Sequence, residues 1–158
     1  MAKYYTLRYP DPVIDQTEST GGSVEVHDLH GKSELELNLK SAIVLAKHSY
    51  TVWLLPISGV PDQKNPDTFL VDEEIVCEFK HVHSAKATDR AIRMGRKQAD
   101  HILLDVVAVI EKGALIDSIK NRVARSETII SIFIIWQDKL FRFSREEILD
   151  GTMDSKVQ

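Results

Sequence analysis

Apolar and polar positions are weakly patterned up to residue 31 and strongly patterned after it. In the first stretch, residues 4–9 and 24–26 read as short strands and residues 16–23 as a polar, glycine-containing loop. From Lys32 the periodicity sharpens. Ser33 is placed to cap a helix with Glu36 at the capping-box position, and Leu35, Leu39, Ala42 and Ala46 recur at helical spacing as far as Lys47. Residues 51–55 (TVWLL) predict a buried strand, and residues 56–66 a loop marked by Gly59, Pro61 and Pro66. Two short strands, 68–71 and 75–80, flank the acidic turn Asp72-Glu73-Glu74. In the second, Ile75, Cys77 and Phe79 alternate with Val76, Glu78 and Lys80, which sets Glu78 and Lys80 apart from the core side.

The later chain is clearer. Residues 85–99 predict a helix, 102–107 an inner strand and 115–125 a further helix. Residues 128–136 (TIISIFIIW) predict an uncharged strand turned at Gln137-Asp138 into 140–143, and Ser144 caps a last short helix. Continuous apolar runs in these strands imply a sheet covered on both faces. The expected class is α/β, a mixed central sheet flanked by helices. It is expected as a single domain over 1–158, with its core at about 32–143, an N-terminal extension over 1–31 and a disordered tail over 151–158.

Composition narrows the function classes modestly. The 158 residues are enough for one substantial core, 43% of them are hydrophobic, and no window of about 20 apolar residues could span a bilayer. The single Cys77 forms no internal bridge, which fits a cytoplasmic setting. A net charge of −4 argues against a general polyanion binder, yet leaves room for a local basic patch beside metal-gathering carboxylates.

The candidate chemistry lies in Asn65-Pro66-Asp67 and Glu78-Phe79-Lys80. Glu78 and Lys80, two apart on a strand, emerge on one face, and a strand beginning at Asp67 can supply a second carboxylate across the sheet. Such an oxygen-only site suits Mg²⁺ or Mn²⁺, and a neighbouring lysine can orient water or stabilise charge on phosphate. The plainer alternative is a solvated Glu78–Lys80 pair with Asp67 as a turn residue after proline.

The Pro66-Asp67 and Glu78-x-Lys80 pattern, with its order of helix, three strands, helix and strand, resembles the PD-(D/E)xK nuclease superfamily and so its restriction-endonuclease-like core. The runs at 36–47, Tyr50-Thr51-Val52, Lys64-Asn65-Pro66-Asp67, Glu78-Phe79-Lys80 and Gln98-Ala99 look like the C-terminal tRNA nuclease domains of contact-dependent growth inhibition toxins, over about residues 32–143. The sequence opens on a methionine, so the large delivery segment of those toxins is not expected ahead of it. The resemblance implies metal-dependent hydrolysis of phosphodiester bonds in RNA or DNA, tRNA in particular. It implies Glu36, Asp67 and Glu78 as metal-site acids, Lys80 as the catalytic lysine, Gln98 near the same cleft and a cognate inhibitor protein as partner. Glu34 is the alternative helix acid, because helical phase is not fixed by sequence.

Arg90, Arg93 and Lys97 fall at i, i+3 and i+7 and form a candidate phosphate-binding face with Gln98 and His81; an ordinary solvated face is the plainer alternative. His81 and His83 have no Cys or third His placed to complete a zinc site, so they read as surface or substrate-contact residues. Cys77 reads as a buried thiol. The uncharged strand 128–136 reads as core, and is compatible with a homodimer interface. The competing function is a catalytically silent nuclease-fold binding protein, or an acidic antitoxin-like protein of a mobile element.

Overall fold

The computed structural model describes residues 4–11, 14, 15 and 21–157. Most of the expected polar loop, residues 16–20, lies outside the described residues. The structure is a mixed α/β arrangement in which each strand pairs with its neighbours in the chain. The chain divides into two compact units, Met1–Cys77 and Glu78–Gln158, where the sequence predicts one domain.

The first unit contains β1 (Tyr5–Tyr9), β2 (Ser23–His27), α1 (Leu35–Lys47), β3 (Thr51–Leu54), β4 (Thr68–Leu70) and the opening residues of β5 (Ile75–Val82). β2 and β3 are parallel, whereas β1–β2, β3–β4 and β4–β5 are antiparallel. Alternation sorts the side chains. Val24, Val26, Val52, Leu54, Leu70 and Cys77 are buried together with Ala42, Leu45 and Ala46 of α1. On the other face, the Trp53 indole N–H donates to Glu25 (2.9 Å), and its ring lies near Tyr5 and Phe69.

α1 starts later than the sequence predicts. The chain already turns at residues 31–34, where Glu34 N–H donates to the Gly31 carbonyl (3.2 Å), so Ser33 sits inside that turn. Glu34 takes the cap position and makes no side-chain cap bond. Two polar residues, Asn38 and Ser41, are buried on α1; the Asn38 amide meets His30 Nε2 at 3.1 Å while His30 Nδ1 lies 2.6 Å from the Leu55 carbonyl. This chain of hydrogen bonds satisfies two buried polar side chains. Gly22 is required by close approach, since a Cβ there would overlap the backbone of Ala46 and Tyr50.

The second unit holds the rest of β5, α2 (Ala85–Gly95), β6 (His101–Val106), α3 (Lys112–Ala124), β7 (Ser131–Trp136), β8 (Lys139–Ser144), α4 (Arg145–Leu149) and α5 (Thr152–Lys156). β5, β6 and β7 run parallel and β8 returns antiparallel. Val82, Ile92, Ile102, Leu104, Leu115, Ile119, Ile132 and Ile134 form its core. All six residues of β7 are buried, as expected for the inner strand of a covered sheet.

Turn and cap chemistry explains the boundaries. Gln137 and Asp138 both adopt left-handed φ, which suits a two-residue hairpin between β7 and β8. Glu111 caps α3 by accepting from Ala114 N–H at 2.6 Å, so the helix begins earlier than predicted. β7 begins only at Ser131 because residues 126–129 turn, with Ile129 N–H donating to Ser126. The expected disordered tail is instead the short helix α5, held by the burial of Met153 and Val157. No helix among the described residues is long and apolar enough to cross a membrane.

Candidate functional site

β5 sets the geometry of the Glu78–Lys80 pair. Its register aligns Glu78 with Ile102, Lys80 with Leu104 and Val82 with Val106, so these side chains share one face. That face carries the core of the second unit, which corrects the expectation that Glu78 and Lys80 stand apart from it. Glu78 is only 7% exposed, and Lys80 Nζ lies 3.7 Å from its Oε2. An ammonium at this distance offsets part of the desolvation of the buried carboxylate.

The end of α2 makes room for this acid. A Cβ on Gly95 would lie 3.6 Å from Glu78 Cγ and 3.1 Å from Ile102 Cδ1, so a bare glycine backbone packs over the carboxylate stem. α2 ends at this glycine rather than at residue 99. Gln98 N–H donates to the Gly95 carbonyl (2.9 Å), which places Gln98 in the turn that follows, half-buried. Lys97 therefore leaves the helical face expected for it with Arg90 and Arg93, though all three are exposed. His81 points to the opposite face of β5 from Glu78, aligned with the buried Asp105 of β6.

In the first unit, Asp67 stands immediately ahead of β4. Its carbonyl accepts from Leu55 N–H at 2.9 Å, and it is half-buried. The β4–β5 ladder pairs Thr68 with Cys77, so Asp67 immediately precedes the paired run of β4, and Glu78 immediately follows that of β5. The buried Cys77 thiol fits its expected structural role.

The phase of α1 separates the two candidate helix acids. Glu34 lies one turn before the buried Asn38 and near Gly31. Glu36 is about 200° further round and is exposed. There it lines an open groove of about 420 Å³ with Arg8, Lys32, Leu35, Leu39, Lys40 and Ile43. Among the described residues, no three His, Cys, Asp or Glu side chains gather closely enough to hold a metal ion.

One feature of the second unit has no counterpart in the sequence reading. Arg122 of α3 grips Asp89 of α2 through two bonds, Nε to Oδ1 at 2.9 Å and Nη2 to Oδ2 at 3.1 Å. Arg125 Nη2 lies 3.8 Å from the same carboxylate. The Arg122 hydrogen bond holds the Asp89 carboxyl below its ordinary value, against the opposing effect of burial, and the charges of Arg122, Arg125 and Arg93 add to it. The partners are 33 positions apart in sequence, which hides the cluster from any local pattern.

No protein-family model matches the chain, and no curated protein does. A solved structure described as "CdiA-CT/CdiI toxin and immunity complex from Burkholderia pseudomallei" contains a chain similar in fold. Identity is 18% and the TM-score 0.53, with 71% of this chain and 85% of that chain covered. At this identity the likeness is one of fold.

Proposed function

We propose that this protein is a metal-dependent endonuclease that hydrolyses phosphodiester bonds in nucleic acid, with tRNA as the first substrate to try. The observation that carries the reading is Glu78, a carboxylate buried beneath Gly95 with Lys80 beside it on the same strand face. The fold shared with a chain of a toxin–immunity complex supports a toxin-like role and a cognate partner protein.

Mg²⁺ or Mn²⁺ is the proposed ion. Asp67 and Glu78 offer only carboxylate oxygens, and Mg²⁺ commonly takes one or two carboxylates and completes its shell with water and substrate phosphate. The ion, when bound, would polarise the phosphate and lower the pKa of a coordinated water. Lys80 then supplies positive charge where the phosphorane-like charge develops, or orients the attacking water. Glu36 would add the helix acid, with Glu34, at the N-cap of α1, as the alternative. Arg90, Arg93, Lys97, Gln98 and His81 are the proposed nucleic-acid contacts, with His81 weakened by its place on the opposite strand face.

The test is cleavage of tRNA and of plasmid DNA with Mg²⁺ or Mn²⁺ by the wild type, Glu78→Ala and Lys80→Ala. Loss of cleavage in both variants is expected, and equal cleavage by all three proteins overturns the reading. The second reading is an immunity-like binding protein. It is favoured by the net charge of −4 and by a solved neighbour that comes from a complex of toxin and immunity protein. Capture of a cationic nuclease, with no cleavage by this chain, would establish it instead.

A further inference from the structure

Three arginines on two helices share one carboxylate in the second unit. Arg122 is held rigidly by both Asp89 oxygens, Arg125 reaches the same group at 3.8 Å, and the charge of Arg93 acts on it from the next turn of α2. Arg90 extends the row on the exposed side of α2. A surface that merely neutralises its charges pairs them one to one, and here a single acid leaves two positive charges in surplus. Two of the three lie open, Arg93 exposed and the Arg125 side chain 63% exposed.

The helices do not come together by charge alone. Ser118 of α3 donates to the Ala85 carbonyl at the start of α2 (2.8 Å), and Ile92, Ile116, Ile119 and Val123 fill the interface between them. The apolar seam fixes the helices, and the Asp89–Arg122 bond fixes the guanidinium plane at its rim. The open guanidiniums of Arg93 and Arg125 thus project from a packed pair of helices, beside the one that Asp89 holds. Guanidinium matches a phosphate with two parallel donors, which an ammonium does not.

From this geometry we infer that the Arg93–Arg122–Arg125 cluster, with Arg90 beside it, is a phosphodiester-binding cradle that seats the backbone of the nucleic-acid substrate. The inference rests on the nucleic-acid reading above and adds a contribution from α3. Phosphate contacts position a strand without reading its sequence, so the cradle would set where the substrate lies and leave base choice to other residues.

The experiment measures binding of fluorescent tRNA by anisotropy in EDTA, where cleavage cannot occur, over a series of salt concentrations. The proteins are the wild type, Arg93→Ala, Arg125→Ala, the double variant, and Lys139→Ala on β8 as a control for general charge loss. Each arginine variant is expected to bind roughly three- to tenfold more weakly and to lower the salt slope by about one. The double variant should lose more, and Lys139→Ala should bind like the wild type. Unchanged affinity and slope in the arginine variants overturn the inference, as does equal weakening by Lys139→Ala. A wild type that binds no tRNA overturns it as well. If the variants lose affinity for poly-glutamate and keep it for tRNA, an acidic protein is the partner and the cradle is refuted. Cleavage reports separately: arginine-dependent binding by a wild type that cuts neither substrate removes the nuclease reading and leaves the cradle standing.

Discussion

The two compact units carry opposite charge. Met1–Cys77 has six Lys and Arg against twelve Asp and Glu, a net of −6, whereas Glu78–Gln158 has fourteen against twelve, a net of +2. The overall −4 is therefore the sum of two unlike regions, and it hides the one suited to a polyanion. The contrast continues at smaller scale. Three of the six cations of the acidic unit, Arg8, Lys32 and Lys40, line the α1 groove with Glu36, while the basic unit gathers three of its seven arginines about Asp89. Net charge describes solubility and long-range steering, and local surplus decides what a given surface can hold.

The contrast can be broken first at the candidate chemistry. Glu78→Gln or Lys80→Ala should lower the cleavage rate roughly a hundredfold or more, the scale seen when one electrostatic group is removed from a preorganised site. Glu78→Gln removes the charge and keeps the shape, so it should melt within a few degrees of the wild type; Lys80→Ala leaves the buried Glu78 without its cation and should melt lower, so its rate is compared at a temperature where it is folded. A Glu78→Gln activity loss matched by unfolding would deny Glu78 a chemical role. Gly95→Ala tests the same site indirectly. Its Cβ presses on Ile102 Cδ1 and comes into contact with the Glu78 stem, so activity should fall by more than stability does.

Packing gives the next largest effects, one in each unit. Gly22→Ala drives a Cβ into the backbone of Ala46 and Tyr50, which cannot yield as a side chain would, and should cost about 3 kcal/mol or more by urea unfolding. Leu104→Ala, in the core of the second unit, should cost about 2–5 kcal/mol. If the two units unfold independently, each variant will shift only one of two transitions. A single shared transition that moves with either variant would show that they fold cooperatively.

Asn38→Ala sharpens the polar side of the comparison. It leaves His30 Nε2 buried without its partner and should cost about 1–3 kcal/mol. An unchanged urea midpoint would mean that His30 finds another partner. The smallest effect concerns pH. The Asp89 carboxyl titrates below its ordinary value in the folded protein because Arg122 donates to it. Its contribution is therefore complete above the unfolded value near 3.8 and fades as pH falls through the lower folded value. Between pH 5 and pH 2.5 the wild type should lose more stability than Asp89→Asn. Parallel pH profiles for the two proteins would count against the Asp89–Arg122 pair as a stabilising contact.

Much of the fold was legible in local pattern. The Gln137-Asp138 hairpin, the Ser144 cap with Glu147 three residues on, the apolar β7 and the amphipathic α2 are each encoded within a few residues. Boundaries failed where a competing local bond intervened. The 31–34 turn displaced the Ser33 cap, Gly95 ended α2 four residues before residue 99, and Glu111 started α3 ahead of its apolar run. The tail failed for a different reason, since a segment that is polar by composition was fastened by two buried apolar side chains.

The candidate site divides along the same line. Sequence by itself determined that Glu78 and Lys80 share a strand face, because alternation along a strand has a period of two whatever surrounds it. It also located Asp67 beside a proline and the arginines along α2. Only the tertiary structure decided that this strand face is the core face, that Gly95 covers Glu78, and that Glu36 lines the α1 groove while Glu34 stands by Gly31. Only it brought Arg122 and Arg125 to Asp89. Periodicity and capping act over one or two turns of chain, whereas burial and ion pairing depend on groups that sequence separates and packing brings together.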